Sequence, residues 1–449
     1  MRQTDLIILA AGKATRVRTT RPKALHAIAG RPLLAHVMTA AQSLDISRVV
    51  VITGPQMAPV EDLVRRQWPD AIIARQQKAL GTADATRIGL EVLGQGLPDS
   101  MTLVLYGDTP LIEPKTLQRL VAAIKNGAQV AVLAFRARDP AGYGRMIHDE
   151  TGAFVAIRED ADATEQERAI DLCNSGIMAF GSKTLRNLLP HIGNRNAACE
   201  FYLTDMIGAA VAEGLKVKSL ECREDEVVGV NTQADLARAG EIMQNRLRAH
   251  AMAGGACLIA PETVFLCVDS QIGHDVVIEP HVIFGPGVVL EPGVVVRSFS
   301  YLESTTIGRD AQIGPFARIR PGTQIGVEAH IGNFVEIKNS QIHTGAKIGH
   351  VAYIGDSEVG ERTNIGAGAI TCNYDGLSKH RTLIGKDAFV GSNSSLIAPV
   401  TIGEGAYIGS GSVISRDVAP GALGLSRARQ VEKPGFMTRF LTRGSKAKS

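Results

Sequence analysis

Aromatic residues are scarce in this 449-residue chain, at 4% with a single tryptophan, which argues against stacking on nucleic-acid bases. Long apolar runs are also missing. No stretch approaches the ~20 residues of a membrane span, and the apolar part of the opening MRQTDLIILAAGKATR is too short for a signal-peptide core. Neither sign of charge dominates: 48 Lys and Arg face 45 Asp and Glu, for a net +3. Only the tail, with Arg439, Arg443, Lys446 and Lys448, is basic; it reads as a solvated, frayed terminus or as a contact for an anion or cofactor phosphate. Six cysteines form no CxxC pair and no zinc or disulfide spacing, so they read as free thiols in a reducing compartment. The expectation is a cytoplasmic globular protein with neither nucleic acid nor membrane as partner.

What is present divides in two, as the length requires, because a single core stops growing well below this size. In the first half short apolar runs (DLIILAAG, SRVVVITG, AIIARQ, MTLVLYGD, QVAVLAF) alternate with helix-like stretches such as LAHVMTAAQSL and LQRLVAAIK. That rhythm predicts an α/β domain on a mostly parallel, Rossmann-like sheet, with ligands at strand C-termini. In the second half an apolar residue recurs every sixth position, from Ile272 through Ile278, Phe284, Leu290, Val296 and Leu302, then Ile307, Ile313, Ile319, Ile325, Ile331 and Ile337. It resumes at Ile342, Ile348 and Ile354, at Val359 and Ile365, and again from Ile384 to Ile414.

Neither helix nor strand has a period of six. A hexapeptide β-helix does, with one repeat on each face of a triangular prism and every sixth side chain inward. Between Ile370 and Ile384 the register is lost in TCNYDGLSKHRTL, which predicts a protruding loop, the usual place for binding in a solenoid. QADLARAGEIMQNRLRAHAM predicts an amphipathic helix acting as a stiff spacer. The expected boundaries are 1–233, a helical linker 234–254, and 255–449.

The first chemical constellation follows the first strand. LIILAAGKATR delivers a buried strand into a glycine-containing basic loop, so backbone N–H groups, Lys13 and Arg16 can converge on phosphates. It is neither a Walker loop nor a GxGxxG fingerprint, and taken alone such a turn is more often an ordinary βα loop. Lys23 in RPKAL and Asp108 in YGDTP give it company. A carboxylate at a strand end beside phosphates suits Mg²⁺, although a lone Asp there also serves as a helix cap.

These residues, with KALGTADA, GYGR, NSGI and GVNTQ in the same order, resemble the sugar-1-phosphate nucleotidyltransferases. With the hexapeptide half included, the whole chain resembles the bacterial bifunctional N-acetylglucosamine-1-phosphate uridylyltransferases and glucosamine-1-phosphate acetyltransferases. The resemblance implies that Leu9, Ala10, Ala11, Gly12 and Lys23 hold the nucleotide phosphates, and that Gln76, Gly81 and Thr82 face the uracil with Tyr106 and Gly107 nearby. It implies Gly144, Glu159 and Asn174 on the sugar, and Asp108 with Asn231 on Mg²⁺. Ala14 stands where the family usually has glycine, and Asp84 where it often has a neutral or basic residue.

In the second half KIGHVAYIGD and TNIGAGAITCNYDG carry the remaining chemistry. A histidine in a repeat protein is commonly a surface or packing residue, but His350 follows the glycine after an inward Ile, an outward turn position beside the predicted loop. Acetyl transfer from a thioester to a sugar amine needs a base, and the unperturbed imidazole pKa near 6.5 suits it. Arg320 and Lys338 could neutralise a phosphate or be solvated surface charges.

The resemblance makes His350 the proton acceptor and puts Arg320, Lys338, Tyr353 and Asn364 on the sugar phosphate. It lays acetyl-CoA along Ala367, Asn373, Tyr374, Ser392 and Ser410 with Arg427 near its phosphates, Ser410 replacing a small apolar residue. It further implies a left-handed β-helix packed as a homotrimer with shared sites, and as substrates acetyl-CoA, UTP, glucosamine 1-phosphate and N-acetylglucosamine 1-phosphate. Two other readings compete: a single-activity nucleotidyltransferase of the ADP-glucose or GDP-mannose type with a regulatory β-helix, and a trimerising scaffold carrying a degenerate transferase.

Overall fold

The structure is a computed structural model that describes residues 3–12, 17, 19–94 and 100–446, the last five by backbone alone. Lys13, Ala14, Arg16 and Lys448 lie outside the described residues, as do the side chains of Arg443 and Lys446. Internal contacts divide the chain into two units, Met1–Arg246 and Leu247–Ser449.

In the first unit all five apolar runs are strands: β1 (Thr4–Leu9), β2 (Ile46–Thr53), β3 (Ile72–Arg75), β4 (Met101–Tyr106) and β5 (Val130–Arg136). A hairpin of β6 (Arg145–His148) and β7 (Phe154–Arg158) follows, then β8 (Leu172–Gly181) and β9 (Val217–Cys222). The main sheet runs β9-β5-β8-β4-β1-β2-β3. Its neighbours are parallel except at β8, which is antiparallel to β4 and β5.

β1 shows why these runs are continuous rather than alternating. Leu6 and Ile8 pack on one layer with Leu34, Val37 and Met38, while Ile7 packs on the other with Val50, Ile52 and Leu90. A strand covered on both faces buries every side chain. The strand ends that emerge from this core, after Leu9 and after Tyr106, carry the residues of the first candidate site.

The second unit is a left-handed parallel β-helix of hexapeptide repeats. Its short strands stack into three faces, of ten, eight and eight strands among the described residues. On the first face Val296, Ile313, Ile331, Ile348 and Ile365 sit directly above one another, and Ile313, Ile331 and Ile348 have no exposed surface. Burying each such side chain contributes roughly 1.5 to 3 kcal/mol, so the inward columns dominate the stability of this unit.

The structure corrects the sequence reading of the break. Ile370 points outward and is 45% exposed, while Thr371 is buried and stacks under Leu396 in the inward column of the second face. A threonine fits there because its hydroxyl accepts from Gly355 N at 2.8 Å. The register therefore holds through Thr371 and Cys372, and the insert between Cys372 and Thr382, residues 373–381, is a small hairpin with Tyr374 paired to Lys379. Asp375 staples it by accepting from the backbone N–H of Leu377 and Ser378 and from His380.

At the turn from first to second face, His281, Phe299, Phe316 and Phe334 form a stack with ring centroids 4.9, 4.9 and 5.0 Å apart. Val351 continues the row, and all five have left-handed backbone. The three phenylalanines and Val351 are exposed.

The helix Gln233–Ala253 is present as expected. Its Ala239 packs with Ile28, Leu111, Val228 and Val230 of the first unit, and Ala251 belongs to the core of the second. Among the described residues no helix is long and apolar enough to cross a membrane.

Candidate active sites

In the first unit, Gly107 N donates to Leu9 O across the ends of β4 and β1 at 2.9 Å. A cavity there is lined by Leu9, Ala10, Gly12, Lys23, Ala24, Gly107 and Asp108. A side chain at Gly107 would crowd Ala10 and Leu34, its Cβ at 3.2 and 3.3 Å, so glycine lets the ends of β4 and β1 close on each other here.

The Lys23 ammonium enters this cavity, forms an ion pair with Asp108, and donates to Asn231 Oδ1 at 2.8 Å. Asn231 arrives because Val230 N bonds Asp108 O at 3.0 Å, and because Asp235 accepts from Asn231 N and Thr232 N. Sequence reading missed Asp235 and the Val230 contact.

A second group frames a neighbouring space. Gly81 has φ +110, and a Cβ there would lie 2.4 Å from Phe201 O, so only glycine fits. Gln76 Nε2 donates to Gly81 O at 3.1 Å and to Asp84 Oδ2 at 2.9 Å. Both amide hydrogens are thereby used, and what Gln76 has left to offer is its acceptor oxygen. Asp84, the unexpected residue, is buried, paired with Arg87, and acts as the support that orients Gln76. Burial pushes the Tyr106 phenol far up, with its bond to Thr82 opposing and the charges of Glu159 and Asp108 adding.

The Tyr106 ring also packs on Gly176, where a Cβ would come within 2.8 Å of the ring. Beyond it Asn174 N bonds Gly144 O at 2.8 Å, and a Cβ on Gly144 would touch the Glu159 carboxylate at 3.4 Å. Burial raises the Glu159 pKa, the Thr204 hydroxyl bond at 2.8 Å opposes this, and Asp205 and Asp162 add to it. The fully buried Arg145 underpins the hairpin through Asp160 at 2.9 Å; its role was not foreseen.

In the β-helix His350 is exposed at the end of a first-face strand, with Nδ1 2.6 Å from Asn333 Oδ1 on the coil below. These two strands are four residues long where others have two or three, because Gly332 and Gly349 stack closely enough for the ladder to continue. A Cβ on Gly332 would fall 1.8 Å from Gly349 O.

Across the second face lies a cationic cluster. Arg320 bonds Glu336 at 2.7 Å, and Lys338 is 3.9 Å from Asp356. Contact with Lys379 is the main cause lowering the Lys338 pKa, with burial next and Asp356 opposing. Burial raises the Asp356 carboxyl, but Asn339 and Asn373, as donors, together with Lys338 and Lys379 bring it below its ordinary value. Lys379, supplied by the hairpin insert, was not foreseen.

The remaining residues separate. Ala367, Ser392 and Ser410 continue the His350 row upward, linked by Asn393 N to Ala367 O and Gly411 N to Ser392 O at 2.8 Å, with Arg427 donating to Ser410 O at 2.9 Å. Asn373, by contrast, joins Asp356 beside the cations, and Tyr374 is exposed on the insert. Tyr353 pairs with Glu336 on the second face, while Asn364 stands on the first face beside Lys347. No described contact joins Asn364 to Arg320 or Lys338.

Both units have known counterparts. The MobA-like NTP transferase domain family matches residues 6–171, the bacterial transferase hexapeptide family residues 381–416, and the GMPPB C-terminal domain family residues 302–377. Over nearly the whole length, the chain is 50% identical to the Bifunctional protein GlmU of Azorhizobium caulinodans, covering 96% of each. The GlmU of a Bradyrhizobium species is 51% identical (97% and 96% covered) and that of Zymomonas mobilis 45% (98% of each). The chain belongs to the bifunctional GlmU family.

That membership settles the choice among the three readings. GlmU relatives align through both units at 45–51% identity, whereas a nucleotidyltransferase with a merely regulatory β-helix, or a scaffold, would have its counterpart elsewhere. Within the GlmU frame the first unit is the nucleotidyltransferase and the β-helix the acetyltransferase.

Proposed function

We propose that the chain makes UDP-N-acetylglucosamine in two steps. Residues 255–449 transfer acetyl from acetyl-CoA to the amine of glucosamine 1-phosphate. Residues 1–233 then join UMP from UTP to N-acetylglucosamine 1-phosphate with release of pyrophosphate, and 234–254 link the two. The observation that carries this reading is the presence, in one chain, of a lysine-bridged Asp108–Asn231 oxygen pair at sheet strand ends and, on a β-helix, of an exposed histidine and a three-cation cluster at the two edges of one face.

For acetyl transfer, Arg320, Lys338 and Lys379 neutralise the sugar phosphate, Tyr353 and Asn364 bound its ring, and His350 takes the proton that the amine sheds. Acetyl-CoA lies along Ala367, Ser392 and Ser410 with Arg427 at its phosphates, and Asn373 and Tyr374 reach it from the insert. For uridylyl transfer, Leu9, Ala10, Ala11, Gly12 and Lys23 hold the triphosphate. Gln76 accepts from the uracil imide, Gly81 and Thr82 shape its slot, and Gly144, Glu159 and Asn174 hold the sugar. An oxygen of the sugar phosphate attacks the α-phosphorus in line and needs no protein base.

Asp108 and Asn231 also fit Mg²⁺: a carboxylate and an amide oxygen converge on the point that the Lys23 ammonium marks, the oxygen donors this ion takes along with phosphates and water. When bound it would neutralise triphosphate charge. A homotrimer is supported by the separation of the His350 row from the cations on either side of the second face, and by the exposed aromatic row leading up to His350. Free thiols, UTP and acetyl-CoA suit the cytoplasm.

Mass spectrometry of a reaction holding glucosamine 1-phosphate, acetyl-CoA, UTP and Mg²⁺ tests the whole reading. It should find free CoA, pyrophosphate and UDP-N-acetylglucosamine, and no UDP-sugar when acetyl-CoA is omitted. Formation of UDP-glucosamine at the same rate without acetyl-CoA would overturn the order, and no CoA release would overturn the acetylating half.

A further inference from the structure

Resting on the reading of His350 as the base, we infer that Asn333 is a positioning residue that selects the reactive tautomer of that histidine. The coils hold the two residues as register partners, and the close approach of Gly332 to Gly349 carries the strand ladder out to them. Asn333 Oδ1 lies 2.6 Å from His350 Nδ1. An amide oxygen only accepts, so Nδ1 must carry the hydrogen, and the lone pair of the neutral ring is fixed on Nε2. An untethered neutral imidazole prefers the opposite tautomer. The bond also fixes the ring plane, since Val351 N is tied to Asn333 O at 2.9 Å immediately after the histidine.

In the transfer, the amine nitrogen forms a bond to the acetyl carbonyl carbon, the C–S bond breaks, and sulfur leaves with its electron pair. The proton shed by nitrogen goes to Nε2 and from there to the thiolate. As the ring becomes cationic its Nδ1–H bond to Asn333 strengthens. An amide serves this purpose better than a carboxylate, because it orients the ring without adding a negative charge that would keep the base protonated at neutral pH. The titratable and charged groups on the flanking strands are His330 and Lys347 on the first face, with Arg297 below, and Glu336 and Tyr353 on the second.

The test uses the full-length protein, with the unfolding midpoint of the second unit as the control of folding. Asn333→Ala should lower kcat of acetyl transfer at least tenfold, within the roughly 10² to 10⁴ that a positioned base contributes, with KM for glucosamine 1-phosphate changed less than about threefold. Asn333→Asp should move the acid limb of the kcat/KM pH profile upward by about one unit, and ¹⁵N imidazole shifts of His350 should report hydrogen on Nδ1 in the parent chain. An unmoved limb in Asn333→Asp, or hydrogen on Nε2 in the parent, overturns the inference. If His350→Ala keeps full acetyl transfer, the underlying assignment of the base falls instead, so the two failures are told apart.

Discussion

In the first unit Lys23 reaches an oxygen of Asn231, 208 positions along the chain, whereas in the β-helix His350 reaches Asn333 over 17. The nucleotidyltransferase centre exists only when the whole sheet is closed, since β1, β4 and the segment after β9 each supply a part. The acetyltransferase row needs only neighbouring coils, because a solenoid is held by nearest-neighbour contacts. In the proposed reading the same kind of chemistry, charge against phosphate and a placed polar group, is thus reached once through long-range topology and once through a repeat.

Substitutions can break this contrast, starting with the largest effect. His350→Ala should reduce acetyl transfer by about 10² to 10⁴ while leaving uridylylation of supplied N-acetylglucosamine 1-phosphate intact, read as CoA release against pyrophosphate release. Asp108→Ala should do the converse, lowering pyrophosphate release by about 10² to 10³ with CoA release unchanged. Comparable losses of both activities in either variant would mean that the two units do not work independently.

Acid should separate the units by stability. Burial depresses the His36 pKa from 6.5 to about 4, with the Ile28 carbonyl bond opposing and Arg31 assisting. Between those values the unfolded chain binds the proton and the folded one does not, so the stability that the neutral ring allows is complete above about pH 6.5 and is lost as pH falls toward 4. The loss is about 3 kcal/mol. Denaturant unfolding followed at Trp68, in the first unit, should show it, and His36→Gln should flatten that dependence. A smaller effect belongs to the β-helix: Thr371→Val leaves Gly355 N without its acceptor and should cost about 1 to 3 kcal/mol, measured as a shift in the unfolding midpoint of the second unit.

What could be read from the sequence follows the same division. The period of six exposed the coils because its positions from Ile272 to Ile414 are apolar save Thr371, which was passed over since its hydroxyl hides a buried role that only its bond to Gly355 reveals. The strand ends after Leu9 and Tyr106 were legible because Gly12 and Asp108 close those apolar runs. Arg145 and the support given by Asp84 were not, because each acts on a partner that local pattern does not indicate, whereas Asp235 was overlooked although Thr232 and Asp235 stand at capping-box spacing. Asn333 and Lys379 were hidden differently: they lie one coil from, or on an insert beside, residues already singled out, and counting 17 forward or back would have found Asn333.

The stacked rings of Phe299, Phe316 and Phe334 repeat at about the spacing of adjacent β-strands, 4.9 and 5.0 Å, and the next residue in that row directly follows His350. Ornament and reactive group are therefore graduations on one ruler. Successive circuits already differ by one residue, 18 from His281 to Phe299, 17 to Phe316 and 18 to Phe334, yet the rings stay in line, so this half of the molecule absorbs small changes of length at its turns. It can also add or drop a complete circuit, or it can leave the wall and return to the same point, as the segment between Cys372 and Thr382 does.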